Sequence, residues 1–180
     1  MRIIGGSFKG RKFEPPIQKW PTRPTTDFAR EALFNILENR VNFENIAALD
    51  LFAGTGSVSF ELVSRGCKTV CAIESFGPAI KFMNQMANEW GIADSLQIQK
   101  KEVRKFLIGD HNQFELIFAD PPYNLPWIME LPNLIKDSSC CMKDTTIVIE
   151  HSNLTDFSRE PGFAESRNYG QSVFSFFNAN

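Results

Sequence analysis

The sequence predicts an α/β fold in which a mostly parallel, doubly wound sheet is covered by helices on both faces and closed by an antiparallel edge. Three observations predict it. From about residue 46, short apolar runs alternate with stretches of helical periodicity, the order a parallel sheet needs because each parallel crossover takes a helix-length connection. ELIFAD is apolar almost throughout rather than alternating, as a central strand buried on both faces is. The last segment, GFAESRNYGQSVFSFF, changes style to two β-prone runs about Tyr169-Gly170, the pattern of a closing hairpin.

The elements follow in order. RIIGGSFKGRKFEPP has two short β-prone runs around Gly-Gly and Gly10, which predicts a small hairpin or extended arm. Prolines at 15, 16, 21 and 24 make a stiff linker. Thr25 and Thr26 are candidate N-caps for FAREALFNIL, whose apolar positions 28, 29, 32, 33, 36 and 37 predict an amphipathic helix. The alternation then runs through strand 46–51 and helix 57–65, strand 69–74 and helix 77–90, and strand 96–99 and a short helix over 103–108. Strand 115–120, a helix over 127–136 broken by Pro132, and strand 145–150 complete it. A chain of 180 residues with 43% hydrophobic content can bury one substantial core. Residues 1–24 are therefore expected to form a basic arm and linker, and 25–180 a single domain.

No run approaches the roughly 20 apolar residues needed to cross a bilayer, and the N-terminus lacks an apolar targeting segment; a cytosolic protein is expected. Cys67, Cys71, Cys140 and Cys141 have no CxxC spacing, and the two histidines, His111 and His151, lie far apart. That pattern predicts buried thiols in a reducing compartment and no metal site. The net charge is −2, yet residues 1–30 hold seven basic groups against two acidic ones. A basic arm on an acidic body is a footprint that meets phosphates.

DLFAGTG, residues 50–56, falls where the first strand passes to the first crossover helix. Glycines there let a ligand approach the backbone at the carboxyl end of the strands. The third glycine of a dinucleotide fingerprint is missing, since Ser59 stands in its place, and no phosphate-binding GxxxxGK[ST] occurs. Glu74 ends the second strand, 20 residues after Gly54, where a carboxylate can accept hydrogen bonds from both hydroxyls of a ribose. With Asp50 before the turn, the set suits a nucleoside cofactor without a pyrophosphate, and S-adenosylmethionine meets that description.

ELIFAD delivers Asp120 to the same edge, followed by Pro121, Pro122 and Tyr123. Asp-Pro-Pro could serve only to end the strand. The prolines, however, fix φ and carry no N–H, so the Asp120 carboxylate and the Pro121 carbonyl are expected to face outward as acceptors for a planar NH₂ group. Tyr123 offers a face for an aromatic base. Two acceptors on the amine hydrogens favour a pyramidal nitrogen with its lone pair free for an incoming methyl, and Asp120 can take or relay the proton.

Taken together, RIIGGSFKGRK, RPTTDFAREALFNIL, DLFAGTG, DPPY, IVIEH and YGQSVFSFF resemble, in order and spacing, the bacterial 16S ribosomal RNA guanine-N2 methyltransferase family, RsmD. The resemblance covers nearly the whole chain and is most particular in the arm and the RPTTD segment. It implies a Rossmann-like, seven-stranded, S-adenosylmethionine-dependent enzyme, a monomer by default, that methylates a guanine amine in the assembling small ribosomal subunit. Asp50, Phe52, Gly54 and Gly56 would line the cofactor site with Glu74 on the ribose, and Asp120, Pro121, Pro122 and Tyr123 would hold the guanine. Arg2, Lys9, Arg11, Lys12 and Arg23 would grip RNA. Where the family offers Gly-Asp for the adenine, this chain has Lys101-Glu102, which leaves Glu102 as the candidate adenine contact. Two alternatives stay open: the same chemistry on an adenine N6 amine, and a non-catalytic RNA-binding relative.

Overall fold

In the computed structural model, which describes residues 1–16, 20 and 26–179, helix α1 (Asp27–Leu37) begins at Thr26, whose hydroxyl accepts the amide of Ala29 at 3.2 Å. Then come strand β1 (Ala47–Leu51), helix α2 (Ser57–Ser64), β2 (Thr69–Glu74), α3 (Gly77–Trp90), β3 (Leu96–Lys100), α4 (Val103–Leu107) and β4 (Phe114–Ala119). Pro132 starts α5 (Leu131–Lys136) rather than breaking it, because the first turn of a helix has no use for the amide that proline lacks. A 3₁₀ turn, Ile128–Glu130, precedes it, and β5 (Cys141–His151), β6 (Phe163–Tyr169) and β7 (Ser172–Asn178) end the chain.

The seven strands lie in the order β3-β2-β1-β4-β5-β7-β6. Pairings from β3 through β5 are parallel, and β7 runs antiparallel to both β5 and β6. Each face carries its own core. Ala48, Val70, Ala72, Leu116, Phe118 and Val148 pack with α1, α2 and α3, while Leu49, Leu51, Cys71, Ile73, Ile117 and Ile149 pack with α4 and α5. This period of two has a consequence at the strand ends. Asp50, Glu74, Asp120 and Glu150 are all even-numbered, so they fall to the same face, that of α1, α2 and α3.

The buried face of α1 is turned relative to the expected stripe: Ala29, Arg30, Leu33, Phe34 and Leu37 are buried, and Phe28 is 68% exposed. Arg30 is tolerated inside because its Nη2 donates to the carbonyl of Arg2 at 2.6 Å and to Asp27 at 2.9 Å. Thr25, Lys19, Pro21 and Pro24, part of the predicted linker and cap, lie outside the described residues. Among those described, no helix is long and apolar enough to cross a membrane.

The N-terminal arm closes on itself through an antiparallel bridge between Arg2 and Lys12 and lies along α2. Ile3 and Phe13 enter the core, and the Phe13 ring meets Phe60 and Trp90 edge-on at 5.4 and 5.8 Å. Glu61, fully buried on α2, accepts the amides of Ile4 and Gly5 at 2.8 and 2.7 Å and the Arg65 Nε at 2.9 Å. Gly6 has φ of 72°, and a Cβ there would sit 1.8 Å from the Ser64 carbonyl oxygen, so the arm can dock this closely only with glycine. Replacing Glu61 by Ala leaves two amides and the Arg65 Nε–H without their acceptor, although the Arg65 guanidinium keeps Glu38. The expected loss is about 3 kcal/mol of stability, measured as a lower urea midpoint, with residues 1–16 becoming protease-sensitive below that midpoint.

Candidate active site at the carboxyl edge of the sheet

The turn from β1 into α2 is left-handed three times over: φ is 64° at Phe52, 53° at Gly54 and 76° at Gly56. Phe52 is the one non-glycine residue with positive φ among those described. Such a conformation costs about 1–3 kcal/mol and persists only where neighbours impose it. Here the Ala53 amide is drawn to the Ile73 carbonyl at 3.0 Å and the Gly56 amide to Ala53 at 2.8 Å. The two glycines do different work. A Cβ on Gly56 would strike the Met83 side chain at 2.8 Å, so Gly56 serves helix packing, whereas one on Gly54 would meet only the Phe52 carbonyl at 3.8 Å and otherwise project into open space.

That space is a cavity of about 860 Å³, toward the upper end of the roughly 300–1,000 Å³ usual for small-molecule sites. Phe52, Gly54, Glu74, Asp120, Pro121, Pro122 and Tyr123 all line it, so the structure brings together most of the residues expected at the site. Its wall is completed by Phe28 and Thr26 of α1, Ser75 and Phe76 after β2, Glu150 of β5, and the turn joining β6 to β7.

Glu74 accepts three backbone amides, from Gly54 at 2.8 Å and from Ser75 and Phe76 at 2.7 Å. A carboxylate has about four acceptor sites, so one remains for a hydroxyl in the cavity, fewer than the two ribose contacts expected. Glu74 thereby sets the shape of the glycine turn as well as facing the cavity. Pro121 is buried and Pro122 exposed; the Pro122 carbonyl accepts the Leu125 amide at 2.8 Å, and the Asp120 amide donates to Leu51 at 3.3 Å. The loop is thus stitched to β1 at one end and closed as a turn at the other. Tyr123 is 40% exposed, and its hydroxyl donates to Glu150 at 3.3 Å. Burial pushes the Tyr123 phenol up to about 12, so it stays protonated and a donor.

Several expectations need correction. Asp50 does not line the cavity but lies beneath the loop, 1% exposed, accepting the hydroxyl of Ser59. The residue in the place of the missing third glycine is therefore the partner of the acid before the turn. Gly56 faces the α3 core for the reason given above. Glu102 is exposed and paired with Lys105 at 3.3 Å, off the cavity wall, because β3 ends at the sheet edge, two strands from β1. Arg2, Lys9, Arg11 and Lys12 are exposed on the arm, with Arg11 stacked over Phe8 and Trp90 at 5.0 and 5.2 Å. Arg2 approaches Asp27 at 3.9 Å, which puts that end of the arm beside the α1 wall of the cavity. Arg23 lies outside the described residues.

Sequence reasoning missed Phe76, Phe28, Ser172 and Glu150 as wall residues. Glu150 carried a signal, a carboxylate ending an apolar strand just as Asp120 does; Phe28 read as a core position of α1. His151 next to it is structural. Its Nδ1 donates to the Ser152 carbonyl at 2.8 Å, so its Nε2 accepts the Ser175 hydroxyl at 2.7 Å, and burial lowers its pKa.

Burial pushes the Asp50 carboxyl up from 3.8 to about 7, with the Ser59 hydrogen bonds pulling the other way and Glu74 adding to the rise. The folded state then holds a proton that the unfolded chain releases, so this group's contribution falls as pH rises from about 4 to about 7 and is level above. Asp50→Asn is expected to flatten the wild-type decline in urea midpoint across that window; an identical decline in both proteins would contradict it.

A family model described as conserved hypothetical protein 95 matches residues 1–178. Ribosomal RNA small subunit methyltransferase D of Escherichia coli is 30% identical over 152 residues, covering 83% of this chain and 74% of that protein. Among solved structures, the E. coli protein yhhF, described provisionally as a methyltransferase, superposes with a TM-score of 0.84 at 26% identity, covering 99% of this chain and 97% of that one. The 16S rRNA N2 G1207 methyltransferase of Thermus thermophilus, RsmC, solved with AdoMet and guanosine, shares the fold with a TM-score of 0.71 at 15% identity, covering 88% of this chain and 44% of that one.

Proposed function

Because the chain belongs to the ribosomal RNA small subunit methyltransferase D family, we propose that it transfers a methyl group from S-adenosylmethionine to the exocyclic N2 amine of a guanine in 16S ribosomal RNA. The observation that carries this reading is that one cavity holds Gly54 of the turn after β1, Glu74 at the end of β2 and the Asp120–Tyr123 loop after β4, with β2 and β4 flanking β1 on either side. The cofactor half fits a nucleoside. Gly54 leaves its approach open, Glu74 keeps an acceptor site for a ribose hydroxyl, and Phe76 gives the wall an aromatic ring beyond it. RsmC, which shares the fold, was solved with AdoMet and guanosine, the same two kinds of ligand that this reading places in the cavity.

Bound there, S-adenosylmethionine supplies a methyl group on a positively charged sulfur. Asp120 and the Pro121 carbonyl accept the two amine hydrogens, and Tyr123 covers one face of the base. This turns the nitrogen lone pair toward the methyl group, and alignment provides much of the rate. The nitrogen gains the methyl and loses a proton, which Asp120 takes or passes to water. A guanine must leave its stack to reach this wall, as bases do in other enzymes that modify them. Lys9, Arg11 and Lys12 on the arm would meet the RNA backbone. The substrate in this reading is 16S RNA in the assembling small subunit, in the cytosol, with a monomer acting.

Labelled S-adenosylmethionine with small subunits from cells lacking the enzyme should yield N2-methylguanosine on nucleoside analysis. N6-methyladenine as the product would sink the reading, and tight cofactor binding without transfer would leave the non-catalytic relative. Asp120→Ala should lower the rate at saturating substrate by about 10²–10⁴-fold while the cofactor dissociation constant stays within about threefold, since Glu74 and Gly54 are untouched. Replacing Lys9, Arg11 and Lys12 together with Ala should reduce the slope of log affinity for RNA against log salt by about 2; an unchanged slope takes the arm out of the interface.

A further inference from the structure

We propose that Glu150 is the specificity-determining residue of the site: its carboxylate accepts the ring N1–H of a purine whose 2-amino group rests against Asp120, and so selects guanine. The inference rests on the amine-methylation reading above and deepens it, because Asp120 and the prolines recognise an amine and not a whole base.

Position comes first. In the parallel pairing of β4 with β5, Ala119 stands opposite Ile149. Continuing by one residue brings Asp120 level with Glu150, on adjacent strands about 4.8 Å apart and on the same face. Both line the cavity. Glu74 is on the far side, with β1 and β4 between β2 and β5. Along the edge the order is therefore cofactor acid, glycine turn, amine acceptor and Glu150, so Glu150 faces the part of the base beyond the reacting amine.

Its setting suits an acceptor. Glu150 is 2% exposed, yet it receives the Ser172 hydroxyl at 2.6 Å and the Tyr123 hydroxyl at 3.3 Å, both on Oε1. With two hydroxyls donating to it, the carboxylate serves here as an acceptor. They also lock the side chain in place, and Tyr123 ties it to the Asp-Pro-Pro-Tyr loop.

The chemistry of the bases decides what such a carboxylate selects. Every nucleobase amine is bonded to a ring carbon whose neighbouring nitrogens either carry hydrogen or present a lone pair. The guanine 2-amino group has N1–H beside it. The adenine 6-amino group has N1 with a lone pair, and the cytosine 4-amino group has N3 with a lone pair. With the amine held at Asp120, guanine turns a donor toward Glu150. Adenine and cytosine turn an acceptor toward a carboxylate oxygen, lone pair against lone pair, which repels the base. A site built to bond a donor rejects analogues lacking it far more strongly than an apolar pocket can.

The test uses 2-aminopurine, which keeps the 2-amino group but has a lone pair at N1. Small subunits are reconstituted with 16S RNA carrying guanine or 2-aminopurine at the methylated position, and methyl transfer is followed at saturating cofactor. The wild-type protein should methylate guanine at least about 100-fold faster by kcat/KM. In Glu150→Gln the amide can present its NH₂ to the N1 lone pair, so the preference should shrink to about tenfold or less, with the loss on guanine, while the cofactor dissociation constant is unchanged. Equal transfer to both bases by the wild-type protein overturns the inference and leaves guanine methylation standing, as does an unchanged preference in Glu150→Gln. The wild-type comparison stands by itself if the variant does not fold. A wild-type protein that methylates adenine and no guanine removes the underlying reading and this inference with it.

Discussion

β1 is hydrogen-bonded to β2 on one side and β4 on the other, and the other features of the site depend on that placement. The chain leaves the top of β1 toward β2 and later returns on the opposite side as β4, so connections diverge and a crevice opens above the carboxyl ends. A strand buried on both faces cannot spend its end on a loose loop. Its backbone is turned at once into α2 through Phe52, Gly54 and Gly56, at a conformational cost that the amides of Ala53 and Gly56 help to meet. The floor of the cavity is that turn.

Four carboxylates sit at or near this edge, and their surroundings give them different characters. Asp50 is sealed under the loop against Ser59, and burial keeps its proton near neutral pH. Glu74 is nearly saturated by three amides and holds the glycine turn in shape. Asp120 follows a strand end and is held by the prolines after it, and Glu150 is clasped by two hydroxyls. One acid thus supports the loop from below, one shapes it, and two face the far half of the cavity. Period-two alternation places all four on one face, and strand order spreads them along it.

The arm belongs to the same design through α2. Glu61 and Ser64 on that helix bind the arm's backbone, while Ser59 on it binds Asp50. The helix that follows the glycine turn therefore anchors both the floor of the site and the basic segment beside it. Arg2, near Asp27, brings the arm to the α1 wall, where Phe28 stands exposed with its ring 6.1 Å from Tyr169.

The alternation of apolar runs and helical stretches determined the fold class and most element boundaries, because those patterns depend on neighbours a few residues away and on turns that glycine and proline mark locally; the strand expected over 145–150, which starts at Cys141, and the helix expected over 127–136, which starts at Leu131, are exceptions. DLFAGTG, Glu74 and Asp120–Tyr123 were legible for the same reason: each ends a strand, and in a parallel sheet all such ends meet at one edge. What only the tertiary structure decided is where each side chain stands relative to groups far along the chain. Asp50 and Gly56 are next to the turn in sequence but face inward, since Ser59 and Met83 lie behind them. Glu102 follows β3, on the outer edge of the sheet, two strands from β1. Glu150 acquires its meaning from Tyr123 and Ser172, 27 and 22 residues away. Sequence periodicity fixes which face a residue takes, but strand order and long-range contacts fix what it meets there.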